Sequence, residues 1–249
     1  MASQKTPAIQ RIVLLALAYV FGYYIFTGNI SNLLAPRLIP FTYFGFAFLT
    51  VLAVYNLATE GIDVIDIYAI IMFSFFISLV MFIPPGTLNT SVMEVKGGIT
   101  DPVEPAVNST LLKEIAFGNR TLMPTGTAWA FTLDDWQPNH LHLYNNPEEH
   151  LGDTVTLSGF VYKKGGMYEN RLFVGRYVIW CCVADAYPVT VLIETDQAGE
   201  FENDDWVSVT GTVTMTTVAD TSYIYPIIKA DHVEKIPAQK PYVYFKSYD

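Results

Sequence analysis

Hydrophobic and polar positions follow two different patterns along this chain. Up to Pro84 the apolar residues form long unbroken runs, and from Gly152 onward they alternate with polar ones at a period of two. No charged residue lies between Arg11 and Arg37, and Ile12–Phe26 is almost wholly apolar until Gly28 and Asn29 break it. Leu38–Thr59 adds 22 uncharged residues, and Ile67–Pro84 a further 18. A helix needs about 20 apolar residues to cross the hydrocarbon core. Open strands cannot satisfy their backbone groups there, so the runs predict three membrane-spanning helices. Lys5 and Arg11 ahead of the first run resemble a signal peptide. No A-x-A-like cleavage site follows, however, and a second run comes at once, so the first run is expected to stay as an anchor.

Pro84-Pro85-Gly86 stops the third run, because proline has no amide proton and clashes with the preceding turn. Glycine and proline then recur among Ser, Thr and Asn, as in an irregular connector. Ser109–Phe117 fits a short helix there, and a second is expected from Thr132, anchored by Leu133, Trp136 and Leu141. Beyond it, five strands are predicted: Val155–Val161, Arg171–Trp180, Thr190–Glu194, Val207–Val213 and Ile227–Ile236. Val155-x-Leu157-x-Gly159-x-Val161 is matched by Val207-x-Val209-x-Gly211-x-Val213. A glycine inside a strand marks a bend or a bulge, and a small barrel needs such bends to close.

The expected fold is therefore an α-helical membrane anchor of three transmembrane helices plus an all-β C-terminal domain. That domain is an OB-like, five-stranded Greek-key barrel, with an open five-stranded sheet as the alternative. The boundaries are residues 1–84 for the membrane region, 85–135 for a linker with a short helix, and 136–249 for the barrel domain.

Composition agrees with a divided chain. Hydrophobic residues make up 51% and charged residues 15%, well short of the roughly one quarter charged in soluble domains. Lys5, Arg11 and Arg37 balance Glu60, Asp63 and Asp66, so the whole net charge of −10 lies after Pro84. An acidic module is repelled by phosphate backbones, which excludes nucleic acid as a partner. No ionisable residue falls inside a predicted span, whereas intramembrane charge marks transport pathways. The spans therefore anchor the chain or pack against another protein. Two basic residues on the N-terminal flank against Arg37 on the opposite one place the N-terminus in the cytoplasm. With three spans the acidic part is then extracytoplasmic.

The densest chemistry lies in Arg176-Tyr177-Val178-Ile179-Trp180-Cys181-Cys182-Val183-Ala184-Asp185-Ala186-Tyr187-Pro188, which holds both cysteines of the chain. Neighbouring strand residues point to opposite faces, so the thiols converge only if the strand ends there. Three readings stand. The cysteines are packing residues; or Cys181 and Cys182, with Asp185 or a histidine, hold a soft metal ion; or they form a redox-active vicinal disulfide. Two thiolates fall short of a four-ligand zinc set, and the spacing is not C-x-x-C. Arg176 and Asp185 have opposite charges and are expected to pair and fix the turn. His140 and His142 form an H-x-H pair that suits either an extended metal-binding segment or a solvated loop, while His150 and His232 stand alone. Pro241–Phe245 is an aromatic tail suited to covering the barrel or to a membrane interface. No hydrolase, Walker, dinucleotide-binding, HExxH or EF-hand motif is present. The sequence thus names no catalytic residue, and no cofactor beyond the soft metal ion the cysteine pair would take.

These residues carry a resemblance. Gly159-Phe160-Val161, Arg176–Ile179 with Cys181-Cys182-x-Ala184-Asp185-Ala186-x-Pro188, Trp206-Val207-x-Val209-x-Gly211 and Pro241-Tyr242 resemble the YcgQ-like family of bacterial permease subunits. The resemblance covers nearly the whole chain and is strongest from about Trp136. It implies N-terminal membrane helices, a C-terminal domain with the double-cysteine signature, and pairing with a larger multi-span permease. The expectation is a non-enzymatic accessory subunit in the bacterial inner membrane. Its partners would be a permease and the bilayer, and its barrel would cap, gate or deliver cargo. The alternative is a membrane-tethered protein that handles soft metal or thiol redox chemistry through Cys181 and Cys182.

Overall fold

The structure, a computed structural model, describes residues 6–58, 88–96, 127–163, 169–217 and 224–246. The chain divides into two compact units. One comprises Met1–Thr87 with Cys181–Ala184, and the other Leu88–Trp180 with Asp185–Asp249.

In the first unit the apolar runs fold as helices α1 (Thr6–Phe26) and α2 (Ile39–Ala58). Helix α1 stops where Gly28 takes a left-handed φ of 74°, with Thr27 N–H returning to Tyr23 O at 3.0 Å, a conformation that favours glycine at a helix end. Gly22 leaves room for the Phe46 ring, which meets Phe26 edge-on at 5.9 Å. Among the described residues, one helix is long and apolar enough to cross a membrane: Pro36–Tyr55, only 11% buried. Arg11–Phe26 is apolar but shorter. The third predicted span, Ile67–Pro84, and the predicted helix Ser109–Phe117 lie outside the described residues.

The second unit is an all-β barrel. Its strands are β1 (Ala128–Ala130), β2 (Thr154–Tyr162), β3 (Arg171–Ile179), β4 (Tyr187–Glu194), β5 (Trp206–Thr217), β6 (Ile224–Lys235) and β7 (Tyr242–Tyr244). Five of them close on themselves in the order β2-β5-β6-β4-β3-β2, with only β4–β6 parallel. This is the Greek-key order of an OB-type barrel. Inward residues such as Val155, Leu157, Val174, Val191, Val209 and Ile228 fill one core.

Both strand glycines act as their spacing predicted. The β5–β6 register slips by one residue between Thr210 and Gly211, and a Cβ on Gly211 would strike the Lys229 backbone. A Cβ on Gly159 would come within 2.5 Å of Gly175 O. The fourth predicted strand extends to Thr217 and the third begins three residues early, at Tyr187. Pro188 is tolerated there because its partner Tyr177 turns its N–H to Pro241 O, at 2.7 Å, instead of towards β4.

Two helices pack on the barrel. Helix α3 (Thr90–Lys96) is tied down by Asp204, which accepts from Thr90 N–H at 2.8 Å and Thr90 Oγ1 at 3.0 Å. Helix α4 (Trp136–Asn145) starts four residues later than Thr132. Trp136 and Leu143 are buried on it, but Leu133 and Leu141 are exposed. The inward face is set by the i, i+4, i+7 spacing of Trp136, His140 and Leu143.

Candidate functional site

Strand β3 delivers the cysteine segment. It ends at Ile179, and Asp185 closes the following turn by accepting the Trp180 N–H at 3.0 Å. Because the strand has ended, the two neighbouring thiols are not forced to opposite faces. Cys181 Sγ and Cys182 Sγ lie 3.6 Å apart as half-buried thiols that are not joined in a disulfide. Their backbone is fixed within the first unit. Ala35 N–H donates to Cys181 O and Val183 N–H to Leu33 O, each at 2.9 Å, and Leu34 bridges Cys182. Cys182 forms one wall of an apolar pocket of about 370 Å³, with Val20, Phe21, Tyr24, Thr42 and Ala184 among the others.

Arg176 does not join Asp185, which corrects the expected pair. Its side chain is fully buried. Nε donates to Ser158 O at 2.9 Å, Nη2 to Ser158 Oγ at 3.0 Å and Gln239 Oε1 at 2.6 Å, and Nη1 to Lys240 O at 2.7 Å. Burial lowers its pKa to about 10, which leaves it charged at neutral pH. The reason for the correction is direction. Arg176 lies mid-strand among the carbonyls of β2 and the C-terminal segment, while Asp185 is spent on its own turn. Arg176 is thus a structural staple.

The histidines are also rearranged. Residues 140–142 are helical, so the H-x-H pair does not share a side. His140 is buried, and its Nε2 donates to Thr190 O at 3.0 Å; Tyr144 Oη donates to the same carbonyl at 3.1 Å. Strand β6 pairs with β4 only from Leu192 to Glu194, and at Thr190 these two side chains reach the β4 carbonyl instead. Burial lowers the His140 pKa to about 4, against the raising effect of the Thr190 hydrogen bond, which keeps it neutral. His142 faces outward and meets His150 edge-on, with ring centroids 4.6 Å apart. Sequence reasoning missed this pairing. Its only signal was Pro147, which starts a 3-10 turn and brings His150 back beside the helix. The aromatic tail covers the barrel: Tyr242–Tyr244 pairs with Tyr177–Ile179, and Phe245 stacks on Trp180 at 5.1 Å.

These features define a five-stranded OB-type barrel with a double-cysteine turn after its second strand. Residues 129–245 match the model of the DUF1980 C-terminal domain. The chain is 31% identical over 116 residues to the UPF0703 protein YcgQ of Bacillus subtilis (strain 168). The C-terminal part of the chain is therefore similar to the DUF1980 C-terminal domain and to this YcgQ protein. That match covers 46% of this chain and 41% of the relative's length. Among solved structures, an OBody bound to hen egg-white lysozyme is 16% identical, with a TM-score of 0.24 over 35% of this chain and 85% of the other. A small single-stranded DNA-binding protein from Streptomyces coelicolor is 16% identical, with a TM-score of 0.24 over 33% and 91%.

Proposed function

We propose that this protein is a membrane-anchored, non-enzymatic accessory subunit of a multi-span bacterial permease. The observation that carries this reading is helix α2. It is long and apolar enough to span a bilayer, and Phe41, Phe44, Phe48, Val51 and Val54 are all exposed on it. A surface of that kind is stable only in lipid or against other apolar helices. It carries no ionisable group that could line a transport route. The acidic barrel belongs outside the cytoplasm, where it caps the partner or hands it cargo.

The test uses the tagged full-length chain in its native membrane. It should resist alkaline carbonate extraction and, in mild detergent, recover one multi-span protein near stoichiometry. Extraction by carbonate would overturn the anchor. Recovery of the chain alone would overturn the subunit assignment.

A second reading rests on the 3.6 Å separation of the Cys181 and Cys182 sulfurs. Here the tethered domain handles a soft metal ion or cycles between dithiol and vicinal disulfide, passing two electrons and two protons to an external oxidant such as a second disulfide. Cells carrying Cys181→Ser with Cys182→Ser should lose metal or oxidant tolerance under this reading. Unchanged tolerance with unchanged metal content would sink it.

A further inference from the structure

We propose that His142, Glu149 and His150 form a binding site for a divalent zinc-type cation, separate from the cysteine pair and independent of the permease reading. One ligand atom from each of the three residues lies within 4.8 Å of the other two. Tetrahedral coordination with bonds of about 2.0–2.2 Å places ligand atoms about 3.3 Å apart. The ends of the side chains must therefore close by about 1.5 Å around an ion of that size. His142 and Glu149 are exposed and free to make that adjustment.

The strongest indication is His150. Its Nε2 is buried and has no hydrogen-bond partner among the described residues. Its other nitrogen, Nδ1, lies 3.1 Å from Asp153 Oδ2. A proton on Nδ1, donated to that carboxylate, leaves the Nε2 lone pair without a use. A buried lone pair with no donor is costly. A carboxylate that fixes the tautomer and raises the basicity of the ring is the usual outer partner of a metal-ligating histidine.

The remaining parts of the site are positioned by the fold. Asp153 opens β2, where its N–H donates to His150 O at 3.0 Å and its carbonyl accepts from Val213 N–H at 2.9 Å. The Trp129 ring, with its centroid 4.9 Å from that of His150, closes one side with an apolar wall. At the C-cap of helix α4, Asn146 Nδ2 lies 3.1 Å from His142 Nδ1. An amide turned to present its oxygen there holds the proton on Nδ1 and leaves Nε2 for the ion. Two imidazoles and one carboxylate suit a borderline cation such as Zn²⁺. Magnesium and calcium prefer all-oxygen ligand sets. Three protein ligands leave one coordination position open to water or an incoming ligand.

The test is calorimetric titration of Zn²⁺ into the chelator-treated full-length chain in detergent, carrying Cys181→Ser and Cys182→Ser to remove thiolate binding. One ion should bind per chain. His142→Ala and Glu149→Gln should each weaken binding about tenfold or more, and Asp153→Asn by about 10–100-fold. His232→Ala should change nothing. His142 is exposed, so its removal should leave the apo melting temperature unchanged. The absence of stoichiometric binding would overturn the site, as would affinity that His142→Ala and Glu149→Gln leave intact. If the serine background does not fold, Co²⁺ loading of the wild-type chain decides instead. A visible ligand-field spectrum without a thiolate-to-metal band, lost on His142→Ala, supports the site. Ligation by thiolate alone excludes it.

Discussion

The guanidinium carbon of Arg176 sits 4.9 Å from the centroid of the Trp206 ring, inside the barrel wall and with no carboxylate among the described residues bonded to it. Neutral oxygens and an aromatic face carry the whole charge. Each hydrogen bond to a charged group contributes about 1.5–3 kcal/mol, and the cation–π contact about 0.5–2 kcal/mol. Arg176→Ala should therefore destabilise the barrel by about 3 kcal/mol or more, since Ser158 Oγ and Gln239 would also lose their partner. Arg176→Lys should recover only part of that loss, because an ammonium group cannot reproduce the fork. Denaturant unfolding followed by tryptophan fluorescence measures both, and equal stability of all three proteins would refute the staple.

Asp204 is the single non-glycine residue with positive φ among the described residues, at 72°, and its carboxylate holds Thr90. Asp204→Gly suits the backbone of that turn but removes both hydrogen bonds. Barrel stability should change by less than about 1 kcal/mol, while cleavage within residues 88–96 by limited proteolysis should accelerate. An unchanged cleavage rate would show that other contacts hold helix α3.

Asp205 titrates below its ordinary value of 3.8, first because the Glu202 N–H donates to it and then because of Lys235. A carboxyl with a folded pKa below its unfolded one contributes stability that is complete at neutral pH. That contribution is lost as pH falls through the unfolded and then the folded value. Asp205→Asn should therefore be less stable than wild type at pH 7, with the gap narrowing as the pH drops below about 4. A gap independent of pH would assign the effect to packing instead.

Gly211→Ala should cost about 3 kcal/mol or more, because the added methyl meets the Lys229 backbone, which cannot move without breaking the β5–β6 ladder. Gly45→Ala on helix α2 meets nothing within 4 Å and should be neutral or stabilising by up to about 1 kcal/mol. Thermal melts of the two variants compare directly, and similar shifts would contradict the assigned roles.

The barrel was legible in the sequence because its signals are local. Alternation from Val155 and Val207 gives strands, and Gly159 and Gly211 give the bends that close them. Helix α2 was legible from run length alone. Partners chosen across the fold were not. Nothing near Arg176 in the sequence names Ser158, Gln239 or Lys240 as its acceptors, since those depend on which strands become neighbours. The H-x-H pair suggested a shared ligand face only on an extended backbone, and the helix through His140 sends one ring inward and the other out. His150, with no histidine nearby in sequence, gains its neighbour through the turn at Pro147.

The seam between β2 and β3 is short: three residue pairs, Phe160–Tyr162 against Gly175–Phe173. Elsewhere along these two strands the gap is filled by β1, which lies on Thr154–Thr156, and by β7, which lies on Tyr177–Ile179. Both are parallel additions of three residues each. They serve as edge protection. Bare N–H and C=O groups on β2 and β3 would otherwise template strand addition from another molecule. The terminal aromatic strand thus guards solubility as well as packing, and a chain shortened before Pro241 would tend to associate through the exposed edge of β3.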